Sequence, residues 1–185
     1  MQNESENILW FVLFAAYGKV SKIRTYLREA DIEYFFPMCY KEKRLNGSEE
    51  RTKQILQPVL NNFIFVKSSK KILTPILETI KKELGITSDL YYRDFHSKQI
   101  VVVPEEQMRN FIKVASEFKE RIIYLSTNEV AMKQGTRVRI IGGAFEGVEG
   151  NFMRIKGDRR VVVSLPSILS VATAFVPLEY IMPLE

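Results

Sequence analysis

The chain has 185 residues and a mass of 21.5 kDa, with 46% hydrophobic and 26% charged residues. That fits one medium or two small globular domains and excludes a disordered or collagen-like chain. Its single cysteine and single histidine, Cys39 and His96, exclude an intramolecular disulfide and zinc-finger spacing, and the net charge of +5 permits a polyanionic partner without demanding one. The longest apolar run, Ile8 to Ala16, has nine residues, whereas a membrane-spanning helix needs about 20. Glu4 and Glu6 precede it without a Lys or Arg, the wrong sign for a signal peptide. Trp10, Phe11, Val12 and Phe14 suit a strand buried on both faces. The expectation is a cytosolic chain with no membrane contact.

Ala16-Tyr17-Gly18 reads as a turn. From Lys19 to Ala30, apolar residues at Val20, Ile23, Leu27 and Ala30 mark one face of a helix. Ile32, Tyr34, Phe36, Met38 and Tyr40 alternate as in a strand with one side buried, and Pro37 within it argues for an edge or bulge. The polar stretch 41–57 centres on Asn46-Gly47, a type I′ turn signal, and is either an extended hairpin or a loop. Pro58 closes it. Residues 62–67 predict a short buried strand. Leu73, Ile76, Leu77, Ile80 and Leu84 predict a helix. Pro75 fits its first turn, which places the start near Thr74, and Gly85 is its natural C-cap. Strands follow at Leu90 to Phe95 and Gln99 to Val103. Pro104-Glu105-Glu106 opens a third helix with a stripe of Met108, Phe111, Ile112, Ala115 and Phe118.

Hairpins with interspersed helices predict an α+β domain, an antiparallel sheet flanked by helices. It spans residues 8–117, and the weakly periodic 118–132 serves as a linker. From Lys133 the texture turns to glycines, alternating apolar residues and cations. Strands are expected at Arg137 to Ile141, Val148 to Ile155, Arg160 to Leu165, Ala172 to Val176 and Tyr180 to Met182, making 133–185 a small all-β barrel.

No catalytic set is legible. The glycine cluster Gly142 to Gly150 lacks a following Gly-Lys-Ser/Thr, so it is no Walker loop. Gly147-Val148-Glu149-Gly150 has the form of a GXXG loop, but its glutamate would repel phosphate. The glycines of this cluster, Gly142, Gly143, Gly147 and Gly150, read instead as positive-φ positions in a tight loop that exposes Phe145. His96 reads as a surface histidine. The acidic pairs Glu49-Glu50 and Glu105-Glu106 are accounted for by solvation and the helix dipole. Lys19 to Arg28 carries four cations and no anion, and Lys67 to Lys82 carries five cations against Glu78. Side by side, those helices would form a basic strip for phosphates. Phe14, Phe63 and Phe65 fall on strands and either fill the core or line an uncovered apolar groove.

Leu9-Trp10-Phe11-Val12-Leu13, Phe36-Pro37, residues 58–66 and the segment Lys133 to Asn151 together resemble the NusG family of transcription elongation factors. Residues 58–66 are similar to that family's P-L-F-P-G-Y-V-F-V segment, with Asn61-Asn62 in place of Pro-Gly. Lys133 to Asn151 looks like a KOW motif, and residues 160–164 with 171–177 are similar to the UpxY branch of specialised antiterminators. The resemblance implies an NGN domain followed by an SH3-like KOW barrel, without catalysis, cofactor or metal. It implies a monomer whose NGN domain binds the clamp of RNA polymerase through an apolar depression and suppresses pausing and termination. Phe14, Leu60, Asn61, Phe63 and Phe65 would line that depression, with Thr74 where a specialised relative touches the opposite jaw. Lys19, Lys22, Tyr26, Lys81 and Lys82 would lie along non-template DNA. The loop of Gly143, Phe145 and Gly147 would meet a ribosomal protein or a termination factor. A KOW-containing RNA- or ribosome-binding module is the alternative reading.

Overall fold

A computed structural model describes residues 6–16, 18–44, 52–117, 122–131, 135–165 and 168–184. Tyr17, Asn46-Gly47, Phe118 and Lys133 therefore lie outside the described residues. The described residues form two compact units: one from Met1–Phe36 and Leu60–Glu105, the other from Pro37–Val59 and Glu106–Glu185.

The first unit is built on a four-stranded antiparallel sheet, β1 (Ile8–Phe14), β2 (Glu33–Phe35), β5 (Phe63–Ser69) and β6 (Val102–Val103), in the order β2-β5-β1-β6. The apolar run of β1 is central, and Val12 and Leu13 are fully buried. Helix α1 (Val20–Glu29) packs against β2 and β5 and buries Val20, Ile23 and Leu27, the face that the periodicity predicts. Helix α2 (Lys70–Leu84) buries Leu73, Leu77 and Ile80 and ends at Gly85 with φ of 60°, the left-handed C-cap expected there.

Three expectations are corrected in this region. Helix α2 starts at Lys70, not near Thr74, because Ser69 caps it: its side chain accepts from Ile72 N at 3.3 Å. Pro75 consequently lies inside the helix. The stretch 32–40 is two strands rather than one. Pro37 has no N–H to continue the ladder, so β2 ends at Phe35 and β3 (Met38–Arg44) pairs instead with β4 (Thr52–Pro58) in a two-stranded ribbon of the second unit. The expected strands at 90–95 and 99–103 reduce to bridges at Tyr91 and between Arg93 and Ile100, followed by β6. The turn at 61–62 keeps negative φ at both asparagines, so it needs no left-handed residue where glycine is usual.

The second unit holds that ribbon, helix α3 (Glu105–Ala115, all but its first residue) and a six-stranded antiparallel sheet. The sheet contains β7 (Ile123–Leu125), β8 (Thr136–Ile140), β9 (Glu149–Ile155), β10 (Asp158–Leu165), β11 (Leu169–Ala172) and β12 (Ile181–Pro183), in the order β12-β8-β9-β10-β11-β7. The protein is thus an α+β sheet-and-helix unit together with an all-β sheet.

The stretch expected as a linker is partly structural. β7 pairs with β11, and Leu125 joins Met153, Ile155, Val162 and Ala172 in one core, with Ile123 and Val130 of helix α4 (Thr127–Ala131) packed on it. With only three residues, β7 is too short to show a period. The strand expected at 172–176 lies at 169–172, starting three residues earlier, and all four of its residues are buried.

Candidate functional site

β1 and β5 run antiparallel with Phe14 opposite Phe63. Facing residues on a ladder bring their side chains together, and the two rings meet edge to face with centroids 5.1 Å apart. Tyr92, positioned by its N–H donating to Val12 O at 2.8 Å, adds a third ring 5.1 Å from Phe63 and 6.4 Å from Phe14. All three rings are half-buried. Leu60, half-buried, and Asn61, exposed, lie in the turn that leads into β5. Phe65 does not belong to this exposed group. It sits two residues further along β5, opposite the fully buried Val12, and is itself 0% exposed. Phe63 is at the end of the ladder and Phe65 within it, so the pair shares a strand face but not a fate.

Tyr92 is the member that sequence reasoning missed. The strand expected around it reduces to isolated bridges, and periodicity carries nothing of the pairing that sets it beside Phe14. Its neighbour Tyr91 is buried, meets Phe11 edge to face at 5.3 Å and shares a hydrogen bond of 3.0 Å with Thr74. Burial raises the Tyr91 phenol above its ordinary pKa, and the bond to Thr74 opposes that shift. Thr74 therefore bonds inward, while Ile72 nearby on α2 is 54% exposed.

The basic helices do come together, and they partly neutralise each other. Lys19 Nζ donates to the Leu84 carbonyl at the C-terminus of α2 at 3.3 Å. Tyr26 on α1 donates to Glu83 on α2, and that bond raises the phenol above its usual range. Lys81 pairs with Glu78 at 3.1 Å. Lys22 and Lys82 are exposed, and neither forms an ion pair among the described residues. Of the five residues expected to contact DNA, these two present undivided charge.

In the second unit Gly143 and Gly147 hold φ of 80° and 84°, as a tight loop requires, whereas Gly142 and Gly150 do not take the positive φ expected of them. The loop folds back on β8, with Gly147 N donating to Ile140 O at 2.7 Å. This draws Phe145 inward to 5% exposure, which corrects the expectation of an exposed ring. The apolar surface here comes from Phe175, which lies in the 171–177 segment without an expected contact role, and from Leu178, at 65% and 62% exposure. Phe145, Phe175, Val176, Pro177 and Tyr180 line, with the glycine loop, a shallow hollow of about 90 Å³.

Among the described residues, no three His, Cys, Asp or Glu side chains converge to hold a metal, and no helix is long and apolar enough to cross a membrane. Comparison with curated proteins finds no match. Among solved structures, the chain is similar to one titled "Domain interaction in Thermotoga maritima NusG", with 17% identity and a TM-score of 0.44 over 97% of this chain and 98% of that one. Residues 9–112, more than half of the sequence, match the family model described as "Transcription termination factor nusG". On that match, the chain belongs to the NusG family of transcription factors.

Proposed function

We propose that this protein is a non-catalytic elongation factor that binds the clamp of RNA polymerase and suppresses pausing and termination, as an operon-specific antiterminator. NusG family proteins bind RNA polymerase, and family membership supports a role in elongation or termination. The observation that carries the reading is the half-buried ring cluster of Phe14, Phe63 and Tyr92. Aromatic side chains already packed against one another lose little freedom on docking, and such residues dominate protein interfaces. Leu60 and Asn61 extend this surface. Lys22 and Lys82 supply phosphate contacts to the non-template strand, which add affinity without reading sequence.

The glycine-rich segment after residue 133 acts as a KOW motif, in the manner of the UpxY branch. Its partner, a ribosomal protein or termination factor, docks on the apolar hollow beside Phe175, with Phe145 supporting the hollow from beneath. The protein works in the cytoplasm as a monomer, without a cofactor.

The test is terminator readthrough with purified RNA polymerase, alongside direct binding. The wild-type chain is expected to bind and to raise readthrough. Phe63→Ala should weaken polymerase binding about tenfold or more, the scale of an interface hot spot. Absence of both binding and readthrough overturns the reading. Salt-sensitive RNA binding without polymerase affinity would favour the ribosome- or RNA-binding alternative.

A further inference from the structure

Phe95 is 76% exposed, more than any other large apolar side chain among the described residues. It stands in the turn between Arg93 and Gln99, where Arg93, His96, Ser97, Lys98 and Gln99 are all exposed and polar. The Lys98 ammonium lies 4.5 Å from the centre of its ring, and the His96 ring meets it edge-on at 5.3 Å.

This turn is firmly built. Asp94 Oδ1 accepts from His96 N at 3.1 Å, Ser97 N at 2.8 Å and Ser97 Oγ at 3.0 Å. Asp94 N donates to Gln99 O at 2.9 Å, Lys98 N donates to Asp94 O at 3.0 Å, and Arg93 Nη1 donates to Lys98 O at 3.2 Å. Lys98 accepts a φ of 59° to close it, a conformation that disfavours side chains. The Ser97 backbone N–H leads the causes that hold the Asp94 carboxyl below its usual range, so its charge is engaged by the turn's own donors.

An exposed ring held in a fixed turn adds nothing to a core. A protein hot spot is ringed by packed neighbours that exclude water, whereas the turn residues flanking Phe95 are polar and exposed. An exposed aromatic ring with a cation over it is what an unpaired base and its phosphate recognise. We propose that the 93–99 turn is a stacking platform for single-stranded nucleic acid: Phe95 takes the face of one base, and Lys98 and His96 meet the adjoining phosphate. Because the turn is already ordered, little freedom is lost on binding. Stacking at this turn requires no polymerase, so it can be measured on the protein alone.

The experiment uses the full chain and fluorescein-labelled twelve-residue oligo(dT) and oligo(U) in low salt, read by anisotropy. Phe95→Ala should weaken binding about tenfold, with thermal stability unchanged because the ring is exposed. Phe95→Trp should retain affinity, and its indole emission should be quenched by the oligonucleotide over the constant signal of buried Trp10, the chain's one tryptophan. A preference for oligo(dT) would assign the platform to DNA, and a preference for oligo(U) to RNA; either supports it if Phe95 is required. Equal affinity of Phe95→Ala and wild type, no measurable binding, or equal affinity for a blunt duplex would overturn it. The last result would leave charge alone as the attraction, and the first would leave the ring to a protein partner.

Discussion

Phe14 and Tyr92 in the first unit each meet Phe63 edge to face, and all three rings keep part of their surface in water, whereas Phe145 in the second unit is 5% exposed beneath its own loop. The two regions have similar ingredients, aromatic residues beside turns, and the backbone separates them. At the end of the β1–β5 ladder, Phe14 and Phe63 are the last facing pair, so the rings cover one another. In the glycine loop, left-handed φ at Gly143 and Gly147 reverses the chain, and Phe145, the middle of the three residues between them, is buried. Exposure is therefore decided by how a backbone segment ends, and residue type supplies only what is then shown or hidden.

The most forceful way to break this comparison is Phe65→Ala. Phe65 shares a strand face with Phe63 but is 0% exposed. Deleting a buried phenylalanine ring costs about 3–5 kcal/mol, so the urea midpoint should fall steeply, with any drop in polymerase binding following from unfolding. Strongly weakened binding with stability intact would return Phe65 to the exposed cluster. Next in size is the pair Phe145→Ala and Phe175→Ala. The first opens a void under the loop and should cost about 3 kcal/mol. The second removes a ring that is 65% exposed, and should change stability by less than about 0.5 kcal/mol. Thermal melts of both variants check the contrast; equal shifts would refute it.

Sequence periodicity reaches far into the fold and less far into the surfaces. The stripe of α1 and the cap at Gly85 are local properties, set by residues within a turn or two of one another. Phe14 and Phe63 are legible as strand aromatics, but which strand residues end the ladder depends on pairing between segments distant in the chain, and periodicity carries no register. The same limit hides Tyr92 from the cluster. Lys19 and Tyr26 read as free members of a basic strip, and their partners, Leu84 O and Glu83, come from another helix. Phe145 escapes for a different reason: a glycine loop announces a turn without saying which way its middle residue points.

Charge on the first unit offers a smaller effect. Lys22 and Lys82 are exposed cations without an ion pair among the described residues, while Lys81 is held by Glu78. Replacing both with glutamine should leave stability unchanged and reduce the salt dependence of single-strand binding, by about 0.7 in the log–log slope for each phosphate no longer neutralised. Lys81→Gln alone should change the slope less. The ordering would be reversed if the intramolecular pairs opened on binding.

The smallest expected effect tests the base of the glycine loop. Arg139 on β8 faces Glu149 on β9, and Arg137 approaches the same carboxylate at 3.4 Å, closing the strands on which the loop stands. The hydrogen bond from Arg139 is the main cause that lowers the Glu149 carboxyl below its ordinary value of 4.5, with Arg137 acting in the same direction. A carboxyl lowered by folding stabilises the native state above pH 4.5, and that stabilisation is lost as pH falls through the folded value. Glu149→Gln should therefore lower stability at neutral pH by no more than about 1 kcal/mol, since both arginines are well exposed. The gap between variant and wild type should close as the pH is taken well below 4.5. Denaturation curves across that range distinguish charge from shape: a constant gap would mean that the glutamate acts by packing. A closing gap would make the loop that buries Phe145 sensitive to acid at its base, a sensitivity the ring cluster of the first unit has no carboxylate to share among its three members.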